Sequence, residues 1–270
     1  DNAQLATAIE TLDHDTSLLS KMSKAQEAIC DGKGADRLAL DISSWVSLRE
    51  QKGVSPYSRQ EIEAEYDDSS RNHLDFEKVR WGSALSMDNR HFHVINKLSF
   101  EPFSKWLDVG SGTGALQSKV SSFYPELLGV GLELSRGLVE TALNRKLHNI
   151  CFMQQDFLDH DESEYDLLTC LGVLAKSNIS LNVFFLKAAE LMKSGGDILV
   201  DFKNKDWGGF EKNKIHPEVR HMWFHMDDIV EQATALGHFK IIDIYGFLPD
   251  ANRVVACRDS HTIFLHAKRV

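Results

Sequence analysis

Cysteine is scarce in this sequence, and its arrangement excludes two kinds of site. The 270 residues contain four cysteines, Cys30, Cys151, Cys170 and Cys257, and none belongs to a C-x-x-C pair. Scattered cysteines argue against both a disulfide framework and a zinc site built on paired cysteines. Two of them lie in apolar, strand-like segments, where cysteine behaves as a small hydrophobic residue. This usage is typical of a reducing compartment, and we expect a cytoplasmic protein.

Long apolar runs and an excess of basic residues are also missing. No stretch of about 18 apolar residues is present, so the sequence predicts no membrane-spanning helix. The first residues show no basic region followed by an apolar block, the pattern of a secretory signal. The formal net charge is -10, whereas nucleic-acid binding needs clustered lysine and arginine. We therefore expect a small-molecule substrate, with neither a nucleic acid nor a membrane as partner.

Residues 105–116 join a short apolar strand to the start of a helix through a glycine-rich turn. Gly110, Gly112 and Gly114 alternate with small residues, and Asp108 stands just before them. Glycines allow left-handed torsions and let the main chain approach a ligand closely, although many α/β proteins use them only to turn tightly. The G-x-G-x-G spacing differs from the G-x-G-x-x-G of dinucleotide folds, and no Lys-Ser or Lys-Thr follows it as in a Walker loop. The acidic residue suits a ligand with a cationic or hydroxyl-bearing end better than a pyrophosphate.

Four further strand-like segments follow the turn. The second strand, over residues 127–133, ends in Glu133, about 20 residues beyond the turn, where nucleoside-binding βα folds place the acid that binds the ribose hydroxyls. The third segment, over 149–157, closes on Asp156 and Phe157. The fourth and fifth segments span 165–174 and 195–202.

This ordered set of motifs, over roughly residues 101–202, resembles the class I S-adenosylmethionine (SAM)-dependent methyltransferases. The resemblance implies a Rossmann-like α/β fold, in which a seven-stranded, mostly parallel sheet has helices on both faces and closes with one antiparallel strand. It also implies SAM as the cofactor. We predict that residues 1–100 form a helical cap on the substrate side and that residues 101–270 form the SAM-binding methyltransferase domain.

The resemblance also implies which residues contact each part of the cofactor. For the methionine part of SAM they are Asp108, Gly110, Ser111, Gly112, Thr113 and Gly114. For the adenosine part they are Glu133 at the ribose, Asp156 and Phe157 at the adenine, and Leu134 beside them. Leu171 and Gly172 line the side on which the methyl group is transferred. Arg80 is our candidate for binding the carboxylate of the methionine part, and a solvated arginine is the alternative.

Helical periodicity marks the first hundred residues. Apolar positions recur at helical spacing over residues 2–30 and 38–48, which predicts three helices. Ser58 and Glu61 fit a capping box that opens the next helix. Another helix is expected from about Asp88 to the first strand of the sheet. On that helix His91 and His93 lie about 200° apart, so only one of them can face the cofactor.

Beyond the fifth strand the sequence becomes polar and rich in glycine. Residues 203–210 begin a long connection to a helix that starts at Met226 or Asp227 and runs to Leu236, where Gly237 ends it. Residues 239–247 and 262–268 are predicted strands, and residues 248–260 link them.

Two histidines are candidates for the general base that methyl transfer needs when the acceptor must lose a proton. His221 and His225 share one face if residues 217–225 are helical. No third ligand is evident beside them, so we predict no metal site. A surface or capping role for both histidines is the alternative interpretation.

Aromatic side chains are candidates for holding the acceptor. Trp81, Trp207 and Tyr245, together with His91, offer rings that stack on a flat substrate or attract a cation. Each is also a common packing residue.

We predict a SAM-dependent methyltransferase acting on nitrogen or oxygen of a small molecule held between the N-terminal cap and residues 203–225. Two alternatives stay open. One is SAM-dependent alkylation by another group, either aminocarboxypropyl transfer or cyclisation of SAM with release of methylthioadenosine. The other is a non-catalytic SAM-binding subunit, against which the complete set of Asp108, Glu133 and Asp156 argues.

Overall fold

Three helices precede the sheet in the computed structural model, which describes residues 57–210, 221–235 and 237–270. They are α1 (Arg59–Ser69), α2 (Asp75–Lys78) and α3 (Ala84–Lys97). The expected capping box of α1 is confirmed, because Ser58 Oγ accepts from Glu61 N–H and the Glu61 carboxylate accepts from Ser58 N–H. The helices expected over 2–30 and 38–48 lie outside the described residues, and the division at residue 100 stays a prediction.

The third helix begins earlier than the sequence suggested. Its first residue is Ala84 rather than Asp88, because Ser83 Oγ accepts the N–H of Ser86 and so caps the helix. A serine cap satisfies one of the N–H groups that have no partner at a helix start.

The centre of the fold is one eight-stranded sheet in the order β3-β2-β1-β4-β5-β8-β6-β7. Its strands are β1 (Lys105–Val109), β2 (Leu128–Glu133), β3 (Ile150–Gln154), β4 (Tyr165–Cys170), β5 (Met192–Lys203), β6 (Phe239–Leu248), β7 (Arg253–Val255) and β8 (Thr262–Arg269). Strands β1 to β5 pair in parallel, whereas β8 runs antiparallel between β5 and β6. The mostly parallel α/β fold expected from the sequence is confirmed.

The described residues form eight strands rather than the predicted seven. The additional strand, β7, lies within residues 248–260, which the sequence indicated as a link, and it pairs antiparallel with the end of β6. Only three residues of β7 pair with β6. A segment this short shows no alternation that a sequence pattern can reveal.

Helices cover both faces of the sheet. The remaining helices are α4 (Ala115–Phe123), α5 (Arg136–Leu143), α6 (Leu181–Leu191) and α7 (Met226–Thr234). Successive side chains of β1 point to opposite faces. Trp106 packs in one core cluster with α3, α4 and α5, whereas Leu107 packs in a second cluster with α6 and α7. No described helix has the length and apolar character needed to span a membrane.

The parallel strands end at a common edge of the sheet. In folds of this type ligands bind at the carboxyl ends of the strands, near the point where the strand order reverses. Here the order reverses between β1 and β4, so the loops that follow these two strands define the region of interest.

Candidate cofactor and acceptor site

The loop between β1 and α4 has backbone torsions that residues with a side chain rarely adopt. Gly110, Gly112 and Gly114 have φ values of 73°, 56° and 71°, in the left-handed region. A Cβ atom on Gly112 would lie 2.8 Å from Cγ1 of Val79, and one on Gly110 would lie 2.2 Å from Cγ2 of Val173. The glycines therefore permit the turn and let Val79 and Val173 pack closely against it.

A cavity of about 310 Å³ lies against this loop. Small-molecule sites in proteins begin at about this volume. Its wall includes thirteen of the residues expected to bind cofactor or substrate, namely Trp81, His91, Asp108, Gly110, Ser111, Gly112, Thr113, Glu133, Leu134, Asp156, Phe157, Leu171 and Gly172. The loops after β1, β2, β3 and β4 thus contribute to one hollow.

Glu133, at the end of β2, is held by two backbone groups. Its Oε2 accepts the N–H of Gly112 at 3.0 Å, and its Oε1 accepts the N–H of Ser135 at 3.0 Å. Burial raises the pKa of Glu133, while the hydrogen bonds from Ser135 and Gly112 oppose that shift. A carboxylate has about four lone-pair positions, so acceptor capacity remains on the cavity side.

Asp108, near the end of β1, is buried at the cavity wall. Its carboxylate accepts from Gln117 Nε2 and from Thr169 Oγ1, and Thr169 in turn accepts the indole N–H of Trp106 at 2.8 Å. Burial raises the pKa of Asp108 to about 7, against the opposite effect of the hydrogen bonds from Thr169 and Gln117. The charge of this group therefore changes near neutral pH.

Asp156 closes the opposite end of the cavity. Its Oδ1 accepts the N–H of Leu158 at 2.9 Å, and its Oδ2 lies 3.4 Å from Nη1 of Arg59, the first residue of α1. Arg59 also contacts Asp159 at 3.2 Å. Phe157 is buried, with its ring centre 5.4 Å from that of Phe184. The carboxylate of Asp156 and the apolar ring of Phe157 therefore belong to neighbouring residues of the cavity wall.

Two serine hydroxyl groups on the cavity wall lack protein partners. Ser111 and Ser177 are both buried, and their Oγ atoms make no hydrogen bond to any described residue. Both Oγ atoms are themselves enclosed rather than exposed to the cavity. The glycine loop and Glu133 fit a polar ligand of the size of an adenosyl cofactor.

The loop after β4 is held in place by a buried ion pair. Asp201 Oδ1 accepts the N–H of Gly172 at 2.6 Å, and Asp201 Oδ2 pairs with Arg90 of α3. The Arg90 guanidinium also lies 5.1 Å from the ring centre of Trp81. A Cβ atom on Gly172 would lie 3.2 Å from Nε1 of Trp81. Trp81 and Gly172 are therefore adjacent on the wall.

Sequence reasoning missed the contribution of α1. Arg59, Ile62 and Tyr66 line the cavity, and so do Met87 of α3 and Lys176 after β4. The capping box revealed this helix but not its position over the sheet. The spacing of Ile62 and Tyr66, four residues apart on one helical face, is the signal that was available.

Arg80 was expected at the cofactor carboxylate but does not line the cavity. Its Nη1 pairs with Oε1 of Glu65, which also accepts from Nζ of Lys176 at 3.0 Å. Arg80 has a φ of 58°, in the left-handed region. Gly114 also lies outside the cavity wall and serves as the left-handed N-cap of α4.

Two of the expected acceptor-binding aromatics lie elsewhere. Tyr245 is buried in the sheet, where its hydroxyl is 2.7 Å from Nε2 of His93, which faces away from the cavity. Trp207 packs with its ring centre 5.6 Å from that of His261. Neither residue belongs to the cavity wall.

The two candidate base histidines do not share a helical face. Residues 221–225 are extended, and Phe224 forms a parallel bridge with Asn204; residues 217–220 lie outside the described residues. His225 precedes α7, and its Nδ1 is 2.6 Å from Oδ1 of Asp206. His221 is half-buried, and burial together with Lys203, Lys176 and Arg80 lowers its pKa to about 4. Neither ring lines the cavity.

The part of the chain that the structure describes contains no group of three or more histidine, cysteine, aspartate or glutamate residues able to hold a metal ion. The polar groups of the candidate site are therefore carboxylates, hydroxyls and main-chain amides.

Comparison with known proteins places the chain in a family. Residues 49–201, more than half of the 270, match a family model described as the O-methyltransferase domain. Comparison with curated protein sequences gives no match.

Solved structures of methyltransferases share the fold. One is the complex of the Haloferax volcanii Trm112 methyltransferase activator with a methyltransferase, at 14% identity and a TM-score of 0.60, covering 76% of this chain and 97% of that chain. The N-methyltransferase NodS from Bradyrhizobium japonicum, solved with S-adenosyl-L-homocysteine (SAH), is 13% identical, with a TM-score of 0.58 and coverage of 77% and 97%. The geranyl diphosphate C-methyltransferase from Streptomyces coelicolor, also solved with SAH, is 12% identical, with a TM-score of 0.59 and coverage of 80% and 100%. At these identities the likeness extends to the fold and not to the acceptor.

Proposed function

The chain belongs to the O-methyltransferase family of SAM-dependent enzymes, and from this premise we propose that it methylates an oxygen atom of a small molecule. The observation that carries the proposal is the single cavity formed by the glycine loop, Glu133 and Asp156. The family description favours oxygen as the acceptor atom, and nitrogen is the second candidate.

The residues around the cavity are suited to hold the two halves of SAM. Glu133 would accept hydrogen bonds from the ribose hydroxyls, and Asp156, Phe157 and Leu134 would surround the adenine. The main-chain groups of Gly110 and Gly112 would lie along the methionine part, with Asp108 behind them. Bound there, SAM supplies an electrophilic methyl group on a positively charged sulfur.

The acceptor would enter on the side of Leu171 and Gly172. Trp81 and Met87 line the same wall and offer apolar surface that excludes water. Methyl transfer demands chiefly that donor and acceptor atoms be held close together and aligned. The ion pair of Arg90 with Asp201, which holds Gly172, supports such rigid positioning.

A hydroxyl acceptor requires a group to take its proton, and we propose His221 for this role, although its ring lies outside the cavity wall, near Lys176 of that wall. The positive charges of Lys203, Lys176 and Arg80 and the burial of the ring keep it neutral, so a nitrogen lone pair is available at pH 7. Lys176, one of these three neighbours, belongs to the cavity wall. His225 is engaged by Asp206 and is not assigned a chemical role.

Two other reactions would use the same cavity. Transfer of another group from SAM, or cyclisation of SAM, would release methylthioadenosine, whereas methyl transfer releases SAH. A non-catalytic subunit would bind SAM and release neither.

The experiment that tests the proposal is incubation of the protein with methyl-labelled SAM and paired acceptors that differ only in a hydroxyl or amino group. We expect label on the hydroxylated member and stoichiometric SAH. Label on the amine would favour nitrogen, and methylthioadenosine would indicate the alternative alkylation. Tight SAM binding with no product from a metabolite extract would contradict enzymatic function.

A further inference from the structure

His91 is the histidine that reaches the cavity wall. It lies in the middle of α3, is 5% exposed, and lines the cavity together with Trp81 and Met87. Its ring centre is 5.6 Å from that of Trp81. A cavity histidine in a methyltransferase invites assignment as a base, but its neighbours determine a different chemical state.

One ring nitrogen of His91 is already engaged. Its Nδ1 lies 3.1 Å from Nζ of Lys119 on α4, and Lys119 also pairs with Asp88, one turn earlier on α3. An ammonium group has only donors, so Nδ1 must accept with its lone pair. A neutral imidazole carries one N–H, which is therefore on Nε2.

The ring also stays neutral over the physiological range. The groups that face it are Lys119 from α4, Arg145 from the segment after α5, and Arg90 on its own helix. Burial and these three positive charges lower the pKa of His91 to about 3. A neutral ring with its proton on Nε2 has no lone pair at Nε2, so this atom donates and cannot serve as a base.

The Nε2–H group has no acceptor among the described residues. The one hydrogen bond of the His91 ring to the described chain is that to Lys119, and Nε2 is not among the enclosed unsatisfied atoms. Since His91 forms part of the cavity wall, its free donor is available to a ligand there. The positive charge of Lys119 at Nδ1 polarises the ring and strengthens that donor.

The cations of the wall are committed elsewhere. Arg59 pairs with Asp156 and Asp159, and Lys176 pairs with Glu65. Arg80, the candidate from the sequence, also pairs with Glu65. A carboxylate bound near the start of α4 must therefore rely on the helix N-terminus and on neutral donors. His91 is linked to this same helix through Lys119.

We propose that Nε2–H of His91 donates a hydrogen bond to the carboxylate of the cofactor's methionine part, with Lys119 fixing the ring tautomer from the opposite side. The inference rests on the proposed function for the orientation of the cofactor. His91 is then a cofactor-binding residue, and Lys119 is a positioning residue.

Calorimetric titration with SAH and with its decarboxylated analogue tests the ligand contact. His91→Phe should lose about 10- to 100-fold in affinity for SAH, as expected for a hydrogen bond to a charged group, and less than about twofold for the analogue. His91→Gln, which keeps an amide donor, should recover most of the SAH affinity. His93→Phe, the same change on the opposite face of α3, should leave both affinities unchanged.

Two outcomes of this titration would count against different claims. Equal losses for SAH and its analogue in His91→Phe, or no loss for either, would overturn the contact with the carboxylate. Failure of the unmodified protein to bind SAH at all would instead contradict the proposed function.

Nitrogen-15 NMR of the histidine rings tests the tautomer, first in the unmodified protein without a ligand. We expect His91 to show a lone pair on Nδ1 and a proton on Nε2, unchanged between pH 5 and pH 8. In Lys119→Met the ring should become a mixture of tautomers, with weaker SAH binding. A protonated Nδ1, or titration of His91 near its ordinary pKa, would overturn the assignment.

Discussion

Oε2 of Glu133 accepts the backbone N–H of Gly112 at 3.0 Å, which ties the end of β2 to the loop between β1 and α4. The same carboxylate accepts the N–H of Ser135 just before α5. One side chain therefore orders the glycine loop and also faces the cavity. Two hydrogen bonds leave lone pairs for a diol, which is the pattern expected of a ribose site.

Glu133→Gln should weaken SAH binding by about 1.5–3 kcal/mol, because hydrogen bonds to a charged acceptor contribute that much. Calorimetry measures the change. Glu140→Gln is the matched control, since Glu140 is exposed on α5 and pairs with Arg136. Equal affinity of Glu133→Gln and the unmodified protein would remove Glu133 from the cofactor site.

Gly112→Ala should reduce SAH affinity more than its effect on stability explains. At a φ of 56° a side chain costs about 1–2 kcal/mol, and the new Cβ would lie 2.8 Å from Val79 at the cavity. Gly195→Ala is the control, because Gly195 has a φ of 83° but nothing within 4 Å of the new Cβ. Thermal unfolding should show a loss for both variants, the larger one for Gly112→Ala because of its contact with Val79, and only Gly112→Ala should bind SAH poorly. Similar SAH affinities in the two variants would refute close approach of the ligand to this loop.

Asp108 should make SAH binding depend on pH. Its pKa in the folded protein is raised to about 7 from an ordinary value of 3.8, so the folded state keeps a proton that the unfolded chain loses, and stability falls as pH rises between these values. The ammonium group of SAH favours the ionised carboxylate. Affinity should therefore rise by up to about tenfold per pH unit below pH 7 and level off above it. Calorimetry of Asp108→Asn should give a flat profile, and a flat profile in the unmodified protein would contradict the assignment.

Arg90→Met should destabilise the fold by about 3–5 kcal/mol, because it leaves the buried carboxylate of Asp201 without its partner. Urea unfolding measures the loss. Lys97→Met, on the same helix, breaks the more exposed pair with Asp243 and should cost less than about 1 kcal/mol. Comparable losses in the two variants would mean that the Arg90 pair does not support the Gly172 loop.

His221→Ala should lower kcat by about 100-fold or more if this ring takes the acceptor's proton, while SAH affinity stays the same. His225→Ala is the control, because His225 pairs with Asp206 outside the cavity. Steady-state kinetics at several pH values distinguishes the two variants. Normal turnover in His221→Ala would leave the reaction without a histidine base.

The sequence predicted the half of the site that depends on local geometry. A strand, a glycine turn and a helix follow one another within residues 105–123, and acidic residues at strand ends need only the sheet to bring them together. The side chains that come from other segments were harder to predict. Arg80 and Lys176 both pair with Glu65, a choice that depends on where α1 packs rather than on neighbours in sequence.

The histidine pair shows the same limit. The four-residue spacing of His221 and His225 favoured a shared helical face, but the backbone at Phe224 pairs with Asn204 and is extended. Helical geometry predicted that the side chains of His91 and His93 point in different directions, as they do. The tautomer of His91, in contrast, depends on Lys119 from another helix. Contacts between distant segments decide the chemical state of a side chain, and no local pattern encodes them.

A crystal structure of the protein with SAH tests the central claim most directly. The account predicts electron density for SAH in the cavity beside Gly112, with both ribose hydroxyls within about 3 Å of the Glu133 carboxylate. Density for SAH elsewhere, or a ribose that does not contact Glu133, would contradict it.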